Sequence, residues 1–175
     1  MNKNEIINSI FFPRKSDIKK DQKDHLLRVE NGVDVGIRFF LKETSFDNII
    51  FFHGNAELAQ EYDGIAHIYN HYNCNFIVVD YRGYGLSLGI PNKDNLLTDA
   101  VEAFSYIESH LQGVVFNGKI VIMGRSLGSA SAWEIISKYQ KNIDGCIIES
   151  GFATEYNLLK LMGISPEDID FSLED

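Results

Sequence analysis

The sequence predicts an α/β fold, with a mainly parallel sheet, helices on both faces and an N-terminal β-hairpin. Near the start, an Asn-Gly pair separates two β-like runs. After it, short continuous apolar runs alternate with longer stretches whose apolar residues recur at helical spacing. Such alternation builds a parallel sheet covered on both faces. The glycine-rich polar segments follow the predicted strands, at the carboxyl ends where such sheets carry their chemistry.

The hairpin is predicted at residues 25–41. Residues 25–30 and 33–41 are β-like, and Asn31-Gly32 between them is the strongest short hairpin signal, since both positions of the favoured turn need a positive φ. The chain contains no repeat, linker or low-complexity tract. We therefore divide it into an N-terminal arm, residues 1–24, and a single domain, residues 25–175.

The rest of the chain predicts strands and helices in alternation. Continuous apolar runs predict strands at residues 48–52, 76–79, 120–123 and 143–148. Apolar residues at helical spacing predict helices at 57–72, at 92–111 with Asn92 or Asp94 as the cap, and at 127–139. A further short helix is predicted around residues 154–162.

Composition and charge exclude several classes of function. Sixteen Lys and Arg against 25 Asp and Glu give a net charge of −9, a sign that disfavours nucleic-acid binding. No window approaches the roughly 18 apolar residues of a membrane span, and no signal peptide is recognisable. Cys74 and Cys146 lie in or beside predicted strands and are interpreted as core thiols in a reducing compartment. We therefore expect a cytoplasmic protein.

Gly124-Arg125-Ser126-Leu127-Gly128 is the strongest functional motif. This G-x-S-x-G directly follows a predicted strand and opens a predicted helix. A turn this sharp leaves no room for side chains at Gly124 and Gly128, and it exposes the hydroxyl of Ser126 as a nucleophile. The N–H of Leu127 then points at a developing negative charge. The alternative is a chance match in a loop, which the flanking strand and helix make the weaker interpretation.

A second motif, His53-Gly54-Asn55, follows the first predicted parallel strand. An oxyanion hole needs a second backbone donor, and in this architecture the loop after that strand supplies it. The N–H of Asn55 is the candidate, with Gly54 allowing close approach. Taken alone, a His-Gly-Asn sequence is more often a plain turn, and only its order relative to the serine motif favours the functional interpretation.

Other motifs are weaker, and we predict neither a cofactor nor a metal site. The glycine-rich loop at residues 80–89 resembles a dinucleotide loop, but Leu88 occupies the position of the last required glycine. Arg82 and Tyr84 in it are interpreted as rim contacts to substrate or as packing residues. His67 and His71 have zinc-ligand spacing but lack the Glu of a metalloprotease helix.

Taken in order, these segments resemble the bacterial α/β-hydrolases related to the serine aminopeptidase and dienelactone-hydrolase groups. The resemblance covers essentially the whole chain, and the segments that match are residues 11–14, 51–57, 80–85, 124–130 and 149–152. The resemblance implies the α/β-hydrolase fold and hydrolysis of a small-molecule ester, thioester or peptide through an acyl-enzyme. It implies Ser126 as the nucleophile and the amides of Asn55 and Leu127 as the oxyanion hole. Residues expected at the rim or near substrate are His53, Arg82, Tyr84, Arg125 and Glu149.

The sequence departs from that family after Ser126. The family continues with a catalytic acid and then a histidine, whereas none of the 49 residues after Ser126 is His. Glu149, at a strand end, is a candidate acid, although a rim residue is the commoner interpretation. We expect a C-terminally incomplete hydrolase domain, inactive by itself. The alternatives are a non-catalytic binding or interaction module and a site completed by a second chain. In an incomplete domain, the strand at 143–148 would lie at a sheet edge and favour self-association.

Overall fold

Six strands form one mixed sheet in the structure, a computed structural model that describes residues 10–152. Their order across the sheet is β1-β2-β4-β3-β5-β6. The strands are β1 Asp24–Glu30, β2 Val33–Phe40, β3 Asp47–Phe52, β4 Cys74–Val79, β5 Ile120–Arg125 and β6 Gly145–Glu149. β1, β2 and β4 pair antiparallel, whereas β4, β3, β5 and β6 pair parallel. This confirms the predicted fold class.

Within residues 10–152, three α-helices connect the strands. They are α1 Ala66–His71, α2 Lys93–Gly113 and α3 Gly128–Tyr139, and short 3-10 helices occupy Ala59–Gly64 and Gln140–Asn142. Asn92 caps α2, as one of the two predicted candidates. Its side chain accepts from Asn95 N at 2.9 Å, and the Asn95 side chain accepts from Asn92 N at 2.9 Å. This reciprocal pair satisfies two backbone donors of the first turn. The helix predicted at 154–162 lies outside the described residues.

Alternation along the strands divides the core between the two faces of the sheet. In β3, Ile50 and Phe52 join the larger cluster, whereas Ile49 and Phe51 join the smaller one. Successive side chains of a strand point to opposite faces, so continuous apolar runs require cover on both. The larger cluster includes α2 and α3, and the smaller includes the first 3-10 helix and α1.

The hairpin forms where predicted, but its turn differs from the prediction. Gly32 has a φ of +79°, while Asn31 is not among the described residues with positive φ. The turn is therefore not the type that needs two left-handed residues. The register shifts between Arg28 and Glu30, and a bulge of this kind increases strand twist. The bulge thus provides the twist that the predicted turn would have supplied.

The helix predicted at 57–72 is interrupted and starts late. Ala56 has a φ of +63°, and Glu57 N donates to Gly54 O at 3.3 Å, which closes a turn instead of a helix. The 3-10 helix begins only at Ala59, and Ile65, with φ −117° and ψ −14°, separates it from α1. Hydrophobic spacing extends through such breaks, and for that reason it does not reveal them.

The described part of the N-terminal arm packs closely against the domain. Ile10 and Phe11 are buried. Arg38 on β2, 1% exposed, binds the carboxylates of Asp21 in the arm, Asp24 and Asp63. A buried guanidinium needs such partners to offset its lost hydration. Among residues 10–152, no helix combines the length and apolar character that membrane crossing requires.

β6 lies at the edge of the sheet, as expected. Cys146 and Ile147 on this strand are exposed. The interpretation of Cys146 as a core thiol was therefore wrong for the described residues, because an edge strand buries fewer of its side chains. Self-association through this edge stays a prediction.

Candidate active site

Ser126 occupies a sharp turn between β5 and α3. Its φ is +47°, in the left-handed region that costs a non-glycine residue about 1–2 kcal/mol. Ser126 N donates to Glu149 O at 3.0 Å, while Ser126 O accepts from Ser129 N at 2.9 Å and from the Ser129 hydroxyl at 2.6 Å. Backbone strain of this kind persists where surrounding contacts impose it, and it is concentrated at functional sites. Ser126 is half-buried.

The two glycines of this turn are required by close backbone contacts. A Cβ added at Gly128 would lie 2.0 Å from Phe52 O and 2.7 Å from His53 O. One added at Gly124 would lie 2.6 Å from Gly128 O. Only hydrogen fits at these positions, so α3 starts in direct contact with the end of β3. This contact brings residue 127 next to the loop that follows β3.

The backbone amides of Leu127 and Asn55 are the predicted donors of an oxyanion hole, and each follows the end of a parallel strand. Leu127 immediately precedes α3, where the helix dipole favours negative charge. Asn55 follows β3, the direct parallel neighbour of β5. Among residues 10–152, no backbone acceptor is assigned to the N–H of either residue. Both amides therefore remain candidates for binding an oxyanion.

His53 is a fully buried support of the loop after β3. Its Nδ1 lies 2.8 Å from Gly54 O and its Nε2 lies 3.1 Å from Asp80 Oδ1. The hydroxyl of Tyr81 donates to His53 O at 2.6 Å. The prediction that His53 lies at the rim was wrong, because both ring nitrogens have buried partners. The same contacts prevent the ring from serving as a free base for Ser126.

Tyr84 is also buried, and it contacts the side chain of Asn55. The Tyr84 hydroxyl donates to Asn55 Oδ1 at 2.6 Å. Asn55 Nδ2 donates to Ile10 O at 2.6 Å, and Phe12 N donates to Asn55 Oδ1 at 3.0 Å. Tyr84 is thus a packing residue and not a rim contact. The sequence gives no signal for the Asn55 side chain, since its partners in the arm lie more than 40 residues away.

Arg82 is likewise paired with acidic residues instead of being available as a substrate contact. Its guanidinium binds Asp99 on α2 through two hydrogen bonds, of 2.7 and 2.9 Å, and also binds Glu30. The side chain is 13% exposed. A bidentate pair of this kind fixes the guanidinium. Arg82 therefore ties the glycine-rich loop to α2 and to β1, which corrects its assignment to the rim.

Arg125 and Glu149 are the predicted rim residues that the structure leaves partly exposed. Arg125 Nε donates to Glu149 Oε2 at 3.1 Å, and Arg125 Nη1 donates to Glu57 Oε1 at 3.2 Å. The side chains of Arg125 and Glu149 are 32% and 47% exposed. Arg125 directly precedes Ser126, and Glu149 O accepts from Ser126 N. A role of the two side chains at the rim stays a prediction.

Glu57 is the functional candidate that sequence reasoning missed. Its Oε2 accepts from Gly54 N at 2.9 Å and from the Tyr62 hydroxyl at 2.5 Å. Burial raises the pKa of Glu57, but hydrogen bonds from Tyr62 and Gly54 and the charge of Arg125 outweigh burial and leave the pKa below its ordinary value. The three-residue spacing from Gly54 to Glu57 is a local capping pattern and was the available signal.

The other four histidines lie on other parts of the chain. His25 Nδ1 lies 2.9 Å from the Tyr106 hydroxyl, and the His25 and His110 rings pack at 4.9 Å. His67 and His71 are exposed. Within the described part of the chain, no three His, Cys, Asp or Glu side chains gather as metal ligands would.

A family model and a curated relative each match most of this chain. The family model described as serine aminopeptidase, S33 matches residues 44–163. The protein bem46 of Schizosaccharomyces pombe is 34% identical over 132 residues, which cover 73% of this chain and 44% of that protein.

Two solved structures, both of hydrolases, also match most of this chain. A predicted CIB-like hydrolase from Thermoplasma acidophilum matches with a TM-score of 0.56 and 25% identity, covering 73% of this chain and 62% of that one. A monoglyceride lipase from Saccharomyces cerevisiae matches with a TM-score of 0.64 and 14% identity, covering 82% of this chain and 50% of that one, and this likeness shows the fold alone. The chain spans less than half the length of the curated relatives that it matches.

Proposed function

The chain belongs to the serine aminopeptidase S33 family of α/β-hydrolases, and from this premise we propose that it is a serine hydrolase with Ser126 as its nucleophile. Its substrates are small-molecule carboxylesters, thioesters or amides. The three share one acyl-transfer chemistry. The location that we propose is the cytoplasm.

The proposed reaction begins with attack of Ser126 Oγ on the substrate carbonyl carbon. The hydroxyl proton passes to a general base, and the carbonyl electrons move onto the oxygen, where the amides of Leu127 and Asn55 stabilise the charge. Collapse of this intermediate breaks the bond to the alcohol, thiol or amine, which leaves with the proton held by the base, and an acyl-serine remains. Water then gives a proton to the base and attacks the acyl carbon. The second intermediate collapses to a carboxylic acid and to Ser126, whose hydroxyl proton the base restores.

The observation that carries the proposal is the left-handed backbone of Ser126 at the junction of β5 and α3. Ser150 also has a positive φ, of +50°, so the strain at Ser126 supports the proposal because it coincides with the glycine-bounded turn into α3. Gly128 packs against the carbonyls of Phe52 and His53, and this contact keeps the two candidate amides at one end of the sheet. Stabilisation by one such donor amounts to about 10²–10³ in rate.

The general base is the incomplete part of the proposal. No His follows Ser126 in the 175 residues, and His53 has both ring nitrogens engaged. We propose that a His and an acid outside this sequence complete the site. By itself the chain would then be unreactive, since a protonated serine is a weak nucleophile.

The lack of a His after Ser126 in this sequence favours a second candidate, a non-catalytic α/β-hydrolase-like binding or interaction module. Such a module keeps the fold and the turn at Ser126 without needing a base. The two candidates differ in one measurable property, the reactivity of the Ser126 hydroxyl.

A fluorophosphonate probe tests that reactivity directly. We expect the complete gene product to be labelled and the Ser126→Ala variant to remain unlabelled, while the 175-residue chain reacts weakly or not at all. Ser137→Ala, on the exposed side of α3, is the matched control and should be labelled like the natural protein. A folded gene product that resists the probe would exclude the hydrolase and favour the binding module, whereas labelling that survives Ser126→Ala would exclude Ser126 as the nucleophile.

A further inference from the structure

The N-terminal strap, residues 10–16, lies against both loops that border the candidate site. Lys15 forms a parallel bridge with Gly85, and Gly85 N donates to Arg14 O at 2.9 Å. The guanidinium of Arg14 donates to Ala56 O and to Glu61. The strap thus connects the glycine-rich loop to the loop after β3.

The side chain of Asn55 is where the strap is joined to the candidate oxyanion loop. Asn55 Oδ1 accepts from Phe12 N at 3.0 Å and from the Tyr84 hydroxyl at 2.6 Å, and Asn55 Nδ2 donates to Ile10 O at 2.6 Å. Phe12 N also lies 2.9 Å from the Tyr84 hydroxyl. An amide is suited to this position because it can both accept and donate. Three groups that are distant in sequence therefore hold one side chain.

Tyr84 is able to donate throughout the neutral range. Burial raises its pKa to about 12, against the opposing effect of hydrogen bonds from the backbone of Phe12 and Ala56. The hydroxyl therefore keeps its proton. Because Tyr84 is buried, its hydroxyl has little access to water that could replace Asn55 as a partner.

The loop needs this external support because it has no regular structure of its own. Ala56, the next residue, is in the left-handed region with a φ of +63°. The peptide that carries the Asn55 N–H therefore lies outside both β3 and the following 3-10 helix. A donor that acts on the transition state is effective only if its direction is fixed before the charge develops.

We propose that the N-terminal strap is a working part of the active site, in which Phe12 N–H and Tyr84 act on the Asn55 side chain as positioning groups and orient the Asn55 N–H toward the oxyanion. This inference rests on the proposed function. It predicts that changes in the strap affect turnover more than substrate binding, because an oxyanion donor acts mainly in the transition state.

Two substitutions at one position separate the strap backbone from its side chain. Phe12→Pro removes the N–H that Asn55 and Tyr84 share, whereas Phe12→Ala keeps that N–H and removes a ring that is 56% exposed. In the complete gene product, we expect Phe12→Pro to lower kcat for a p-nitrophenyl ester by about tenfold with KM within about twofold. Phe12→Ala, which keeps the N–H, should lower kcat by a smaller factor than Phe12→Pro does.

Tyr84→Phe provides the second test and is less disruptive to folding. It removes one hydroxyl and keeps the buried ring, and we expect a fall in kcat of about three- to tenfold. Tyr106→Phe is the control. It removes a hydroxyl whose partner, His25, belongs neither to the strap nor to the loop after β3, and it should leave kcat unchanged. Equal kcat in Tyr84→Phe, Phe12→Pro and the natural protein would overturn the role of the strap.

Hydrogen exchange measured by mass spectrometry gives a readout that does not depend on catalysis. Peptides covering residues 53–57 should exchange about five- to tenfold faster in Tyr84→Phe and Phe12→Pro than in Tyr106→Phe. Unchanged exchange in both would also overturn the inference. If the natural protein hydrolyses no ester while exchange still responds, the proposed function fails and the catalytic role of the strap fails with it, whereas attachment of the loop by the strap stands.

Discussion

The elbow around Ser126 and the loop around Asn55 lie at the ends of two paired strands, yet they are held in different ways. At the elbow, Gly128 lies against the carbonyl of Phe52, and a Cβ at this position would clash with it. In the loop, Gly54 and Asn55 are held by side-chain hydrogen bonds from several elements. One carbon atom added at Gly128 disrupts the whole packing contact, whereas the hydrogen bonds that hold the loop can be removed one at a time. Substitutions should therefore give abrupt losses at the elbow and graded losses in the loop.

The largest effect is expected for Gly128→Ala. Its Cβ would meet backbone at 2.0 Å, and α3 or β3 must move to accommodate it. We expect the free energy of unfolding to fall by about 3 kcal/mol or more, measured by urea denaturation. Gly64→Ala is the matched control, since nothing lies within 4 Å of the position that its Cβ would take, and its change should stay within about 1 kcal/mol. Equal stability of the two variants would show that the elbow is not sterically constrained.

A smaller effect of opposite sign is expected for Ser126→Gly. Glycine adopts a positive φ without the steric cost paid by serine at +47°. Ser126→Gly should therefore be more stable than Ser126→Ala by about 1 kcal/mol, less the entropy that glycine adds to the unfolded chain. Differential scanning calorimetry of the two variants measures the difference. A less stable glycine variant would mean that the backbone at 126 is not strained.

The smallest effect is a pH dependence that belongs to Glu57 in the loop. Its pKa is lower in the folded protein than its ordinary value of 4.5, so its contribution to stability is present above that value and is lost as the pH falls toward the folded pKa. We expect the melting temperature to fall more steeply between about pH 5 and pH 3 in the natural protein than in Glu57→Gln. Parallel melting curves across this range would remove Glu57 from the set of groups that hold the loop.

Sequence reasoning succeeded where the determinant is local and failed where it is distant. The turn at Ser126, the capping of α2 by Asn92 and the succession of strands and helices along the chain follow from neighbouring residues and apolar spacing. The left-handed backbone at Ala56 is not marked by a glycine in the sequence, and for that reason the following helix was predicted to start too early. The partners of Asn55 lie 43 and 45 residues away, and spacing rules carry no information at that range.

The exposed ring of Phe12 sits on a backbone amide that is tied to the candidate site. Any residue except proline can therefore replace the ring while the amide keeps its partners. At residue 12 the side chain can for the same reason be varied independently of the backbone contact that reaches the candidate site.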